Sequence, residues 1–206
     1  VTAREHALPA GTPVALVGGD TTQGDAVVTS VHITGEVEPG KALLRSGARI
    51  GDTVYVSGTL GDAAAGLSLL EERQYDDFLV RRFLRPTARV ELGRRLSGLA
   101  HGAIDLSDGL VGDLRKLLDA SGVGADIDID KVPLSRALRE RFGDAAADFA
   151  LTGGDDYELC FTAAADAVAG IDGITPIGSI VSGNDLVCRR GAEIVEIDDS
   201  GYRHFA

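Results

Sequence analysis

The sequence predicts an α/β (α+β) protein in which helices cover a mixed sheet. Short apolar runs bounded by glycine, proline and aspartate alternate with longer stretches of helical period. The alternation is irregular, and the last three strands, between Ile174 and Ile197, follow one another directly.

Residues 14–17 (Val-Ala-Leu-Val) read as a short buried strand running into Gly18-Gly19-Asp20-Thr21-Thr22. In 27–37, Val27, Thr29, Val31 and Ile33 alternate with more polar neighbours, the pattern of a half-buried strand. Glu38-Pro39-Gly40 is a turn, and 43–51 a polar connection carrying Arg45 and Arg49. A strand at 54–57 precedes an Ala/Leu-rich helix over 61–72 with Asp62 in its first turn. The helical stretch 76–97 is broken near Arg85-Pro86, because proline lacks the N–H donor and clashes with the preceding turn. Then come a strand at 103–106, a helix at 110–120, a strand at 125–129 and a helix at 134–142. A short helix at 145–151 is capped at Gly153; a strand at 157–162 and a short helix near 164–170 lead to the final strands. A domain boundary is placed at 38–50. Residues 1–40 are too few and too strand-rich to fold alone, so they read as the remnant of an N-terminal domain, and 41–206 as a C-terminal α/β domain.

Composition narrows the function. Hydrophobic residues make up 44% and charged residues 25%, as in an ordinary folded protein, and no run approaches the roughly 18 apolar residues of a membrane span. Twenty basic against 32 acidic residues give a net charge of −12, which disfavours nucleic-acid and anionic-membrane partners. Cys160 and Cys188 lack metal-ligand spacing, so a reducing cytoplasm is expected and a structural zinc site is not. His6, His32, His101 and His204 are scattered. No methionine occurs, so the chain reads as processed or truncated.

P-loop, dinucleotide-fold and nucleophile-elbow motifs are absent. What remains is three acidic clusters, each where an element ends in glycine. In Gly18-Gly19-Asp20-Thr21-Thr22, a glycine pair exposes backbone N–H groups beside hard oxygen ligands of the kind Mg²⁺ takes; an ordinary capped turn has the same letters. In Asp105-Leu106-Ser107-Asp108-Gly109, Asp105 and Ser107 point to one side of a strand end. Asp105 is costly to bury unpaired, whereas Asp108 also suits a plain helix N-cap. In Gly153-Gly154-Asp155-Asp156-Tyr157, a helix cap passes through two carboxylates into a strand, which a simple Asx-type turn also explains.

In this order the clusters resemble the thiamine-monophosphate kinase family, of the superfamily of aminoimidazole ribonucleotide synthetase. The resemblance extends over essentially the whole chain. It is carried by GGDTT (18–22), LRSGARIGDTVYVSGTLGDAAAGL (44–67), LRPTARVELG (84–93), AIDLSDGL (103–110), LTGGDDYELCF (151–161) and GYRHF (201–205). It implies Mg·ATP-dependent phosphorylation of thiamine monophosphate to thiamine diphosphate, the last step of that cofactor's synthesis, in a cytoplasmic homodimer. It also implies that Gly19, Asp20, Arg45 and Ser107 meet ATP, that Asp20, Asp105 and Asp108 bind several Mg²⁺ ions, and that Asp155 and Tyr202 contact thiamine monophosphate. The family usually has Glu where this chain has Asp155, one methylene shorter. Its N-terminal segment, with a further acidic metal cluster and a substrate-contacting histidine, is not in this sequence, so the chain alone is expected to be inactive.

The acceptor of such a reaction is a phosphate monoester, largely ionised at neutral pH, so no catalytic base or nucleophile is expected. The difficulty is bringing two polyanions together, which carboxylate-held Mg²⁺ eases. Another ATP-dependent synthetase of the superfamily, or a non-catalytic nucleotide-binding and dimerisation module, stays open.

Overall fold

The computed structural model describes residue 15 and residues 17–197. In chain order the elements are β1 (Thr53–Ser57), α1 (Asp62–Glu71), α2 (Asp77–Leu84), α3 (Val90–Leu96), β2 (Gly102–Leu106), α4 (Leu110–Ser121) and β3 (Gly124–Asp128). After a 3₁₀ turn follow α5 (Arg136–Phe142), a second 3₁₀ turn, α6 (Ala146–Thr152), β4 (Glu158–Ala163), β5 (Ile174–Val181), β6 (Leu186–Arg190) and β7 (Glu193–Val195). The seven strands form one sheet in the order β2-β4-β1-β5-β3-β6-β7. It is mixed: β3 and β6 run parallel, and every other neighbouring pair is antiparallel.

Both faces of the central strands are covered, as near-continuous apolar runs such as Val54-Tyr55-Val56 require. On one face Val54, Val56, Ile104, Cys160, Ile127 and Ile177 pack with Leu110, Leu114, Leu117 and Leu118, the apolar stripe of α4. On the other, Tyr55 and Phe161 are direct partners across β1 and β4, and their rings stack with centroids 5.2 Å apart under Leu96 of α3 and Val168. A third cluster joins α1, α2 and α5 through Ala65, Leu69, Leu79 and Leu138. Fully burying one such leucine stabilises by roughly 1.5–3 kcal/mol.

Several boundaries follow recognisable local chemistry. Asp76 caps α2 by accepting from the Leu79 N–H, and the helix stops at Leu84, two residues before Pro86. Ser135 caps α5 in the same way, which starts that helix at Arg136 rather than 134.

Two expectations differ from the structure. Residues 27–37 form no ladder: Val27, Val31 and Ile33 are all more than 70% exposed, and no strand among the described residues lies beside them. Alternation marks a segment able to pair, but a strand exists only with a partner. The expected strand at 14–17 lies largely outside the described residues. Residues 164–170 form turns held by i to i+3 bonds, Ala167 N–H to Ala164 and Ala169 N–H to Asp166, and no helix. Gly153 is the C-cap of α6, as expected, in an extended conformation. A side chain there would meet the Phe149 carbonyl and the Ala64 methyl, so close approach is what demands glycine.

Candidate functional site

The strand ends at Leu106, Ser57 and Glu158 lie side by side in the sheet, because β4 sits between β2 and β1. This edge gathers the 107–109 loop, the turn before β4 and the β1–α1 loop. The first two are stapled together: the Asp155 N–H donates to the Ser107 carbonyl (2.9 Å) and the Tyr157 N–H to the Leu106 carbonyl (2.8 Å). Gly109 has φ 109° and packs on Thr152, while Gly154 packs on the Ser107 carbonyl; neither position has room for a Cβ.

The edge carries two kinds of acid. Asp62, Asp156 and Glu158 are buried. The Asp156 carboxylate accepts from the Gly61 (2.6 Å) and Ala63 N–H groups, which fixes the β1–α1 loop. Burial outweighs those donors and pushes its pKa up to about 7. Burial likewise raises that of Asp62, against hydrogen bonds from Ser135 and Thr59. Glu158 accepts from Ser57 (2.5 Å), Arg82 (3.0 Å) and the Arg89 fork. A cavity of about 430 Å³ opens beside this cluster, bordered by Thr59, Phe78, Arg82, Arg89 and Thr175.

Asp105, Asp108 and Asp155 are not buried. Asp105 is the exposed member of an otherwise buried β2. Asp155 and Tyr157 both have positive φ (67° and 51°), a conformation that costs a non-glycine residue energy and clusters at functional sites. The Tyr157 hydroxyl donates to Asp155 Oδ1 (3.2 Å). Partial burial, then the charges of Asp155, Asp105 and Asp108, raise the tyrosine's pKa, so all three carboxylates act on one spot. Asp108 is not an N-cap: Gly109 holds that position, and the Asp108 Oδ2 instead accepts from Lys116 Nζ at 2.5 Å. No side chain caps α4; buried Asp113 instead fixes the loop before it, its Oδ2 accepting from the Ser107 and Asp108 N–H groups (2.8 and 2.9 Å).

The structure thus brings together Asp105, Ser107, Asp108 and Asp155. Gly19 and Asp20 lie in the exposed segment, where Asp20 Oδ1 accepts from its neighbour Thr21 N–H. Arg45 is exposed, and its carbonyl accepts from Ser121 at the far end of α4, about 18 Å of helix from the Asp108 loop. Tyr202 lies outside the described residues. Tyr157, Asp113 and Lys116 were missed in the sequence. For Lys116 the i, i+3 spacing from Asp113 was the available signal.

Mg²⁺ is usually held by one or two carboxylates together with phosphate and water oxygens. Among the described residues no three acidic, histidine or cysteine side chains close a metal cage. The exposed pair Asp105 and Asp108 fits the open kind of site, and Asp108 already holds a cation, the Lys116 ammonium. No described helix is long and apolar enough to cross a membrane.

The chain, a mixed sheet whose strand ends carry acidic loops, belongs to the AIR synthase related proteins, matching their C-terminal domain over residues 49–185. Its curated relatives are more particular. It is 45% identical to thiamine-monophosphate kinase of Escherichia coli K12 over 93% of this chain, and spans 63% of that protein's length. Thiamine-monophosphate kinase from Stenotrophomonas maltophilia K279a superposes with a TM-score of 0.70 at 46% identity, over 74% of this chain and 54% of that one. A structure of AaThiL complexed with AMPPCP and TMP gives 0.71 at 39% identity, over 79% and 54%.

Proposed function

We propose that this chain is part of a thiamine-monophosphate kinase, which moves the γ-phosphoryl group of ATP directly onto thiamine monophosphate, without a phospho-enzyme. The observation that carries the reading is that the loop after Asp105, with Ser107 and Asp108, and the turn carrying Asp155 are bonded together at one sheet edge, the Asp155 N–H to the Ser107 carbonyl and the Tyr157 N–H to the Leu106 carbonyl. The similarity to kinases over nearly all of the chain supports it, as does a related protein holding AMPPCP and TMP.

Asp20, Asp105 and Asp108 hold Mg²⁺ in this reading, with Gly19, Asp20, Arg45 and Ser107 at the nucleotide. Bound Mg²⁺ supplies charge neutralisation for the two phosphates and the group passing between them. The protein's own task is placement. Asp113 fixes the Ser107–Asp108 backbone, the Asp155 N–H ties the facing turn to it, and buried Asp156 anchors that turn to α1. Rigid loops of this kind hold reacting groups in line, which is where most of the catalysis of phosphoryl transfer lies. Asp155 and Tyr202 grip the acceptor, a flat cationic heterocycle that a carboxylate and an aromatic face suit. Residues 1–40 belong to an N-terminal dimerisation domain and 41–206 to the C-terminal domain of a homodimer.

The test is a kinase assay, with thiamine monophosphate and Mg·ATP, of the whole protein of which this chain is part, because the chain by itself is expected to be inactive. Tyr202→Ala and Asp155→Ala should raise KM for thiamine monophosphate several-fold and leave KM for ATP nearly unchanged, while Asp155→Glu is tolerated. Equal effects on both KM values, or none, would remove the substrate role. No diphosphate formation by the wild type would end the kinase reading.

A further inference from the structure

Lys116 stands in an unusual place for a cation. It is on the second turn of α4, and its side chain runs back toward the helix N-terminus, as helical side chains do. There the partial positive charge of the helix end repels an ammonium. Two carboxylates overcome that repulsion: Nζ donates to Asp108 Oδ2 at 2.5 Å and to Asp113 Oδ1 at 2.9 Å. The two partners are not alike. Asp113 is buried, and its second oxygen is committed to the Ser107 and Asp108 N–H groups. Asp108 is partly exposed, and Lys116 is its one described side-chain partner.

We propose that Lys116 is a resident counter-cation of the metal site: its ammonium occupies the Asp108 carboxylate when no metal is bound, and must yield that oxygen before a divalent cation takes it. This inference rests on the reading of Asp108 as a metal ligand. Mg²⁺ binds carboxylate oxygens at about 2.0–2.1 Å, so an ammonium on the same oxygen competes with it for space as well as charge. Asp113 keeps the displaced lysine tethered nearby, where it faces any anion the metal brings. Burial of Asp113 therefore does two things: it sets the loop geometry, and it keeps a positive charge beside the metal position.

The experiment titrates Mn²⁺, a spin-active probe for this class of site, into the nucleotide-free full chain at fixed ionic strength, followed by electron paramagnetic resonance. Wild type is compared with Lys116→Met, Lys116→Arg and Asp108→Asn, each first checked for an unchanged thermal midpoint. Lys116 is exposed and Met keeps its stem, so the fold is expected to survive. Removing a unit charge next to a dication should tighten Mn²⁺ binding about three- to tenfold in Lys116→Met. Lys116→Arg, which keeps the charge, should stay near wild type, and Asp108→Asn should weaken binding. If Asp108→Asn weakens binding but Lys116→Met does not tighten it, the lysine positions Asp108 and does not compete, and the proposal falls. If Asp108→Asn leaves Mn²⁺ binding unchanged, the metal reading beneath it falls instead.

Discussion

Asp155 and Asp156 are neighbours in the chain and opposites in the fold. Asp156 is 3% exposed, bonded to the backbone N–H groups of Gly61 in the β1–α1 loop and of Ala63 in the first turn of α1, and sits with Asp62 and Glu158 around Arg82. Asp155 stands in a positive-φ turn with Asp105, Asp108 and Tyr157. The inner group has its donors supplied by the protein: Ser57, Ser135, Thr59, Arg82, Arg89 and main-chain amides. In the outer group, donors come from Tyr157 and Lys116, and oxygens remain for something else. A carboxylate whose partners are built in is architecture; one left partly unsatisfied at a rigid, strained turn is available for chemistry.

The sharpest way to break this division is at Glu158. Glu158→Ala strands Arg82 and Arg89 beside each other without their counter-charge, and should cost about 3–5 kcal/mol of unfolding free energy in a urea titration. Asp105→Asn should shift the same curve by no more than about 0.5 kcal/mol. Comparable losses for both would dissolve the distinction between the two groups.

Activity should invert that ranking. In the whole protein of which this chain is part, Asp105→Asn, Asp108→Asn and Asp20→Asn should each lower kinase turnover by at least about 100-fold while the fold persists. Turnover near wild type at saturating Mg²⁺ would show that the outer carboxylates are surface acids only.

The gentlest test uses pH. Burial lifts the Asp156 carboxyl to about 7, while in the unfolded chain it ionises near its ordinary 3.8. The folded state therefore retains a proton the unfolded state has released. The stability from this group is full below about pH 4 and is lost as pH rises through about 7. Asp156→Asn removes that titration, so the thermal midpoint of the variant should fall less steeply between pH 4 and 7 than that of the wild type. Parallel slopes would mean that the carboxyl is ionised throughout and belongs electrically with the outer group.

Much of the frame could be read directly. The apolar runs of β1, β2 and β4, the helical period of α4 and the break at Pro86 depend on local pattern, and the folded elements lie within a residue or two of where that pattern puts them. What could not be read depends on who stands next to whom. Val27 to Ile33 has the alternation of a strand but no described neighbour to ladder with. Asp155 and Asp156 are the same letter, and only the fold of α1 against the turn makes one of them buried. Asp108 has the look of an N-cap, yet Gly109 holds that position, and Asp113, one turn into α4, reaches back to the loop amides. Gly153 could be read as the cap of α6, whereas the Phe149 carbonyl and the Ala64 methyl, which leave no room there for a side chain, could not.

The position of β1 sets a schedule. Its neighbours are β4 and β5, and the Ser57–Glu158 pair spans 101 residues of chain. A ribosome adding about 5–20 residues per second releases β1 several seconds before β4 exists. Closing so long a loop is slow in its own right, and sheets built from distant pairings fold in milliseconds to seconds. During that interval Val54, Tyr55 and Val56 are an apolar, β-prone run with nothing to cover them, the kind of segment that aggregates or recruits a chaperone. The turn that carries Asp155 is made just before β4, so the acidic edge and the protection of β1 arrive together, late in synthesis. In a nascent chain the Asp105–Asp108–Asp155 group and the pairing of β1 therefore become possible at nearly the same moment.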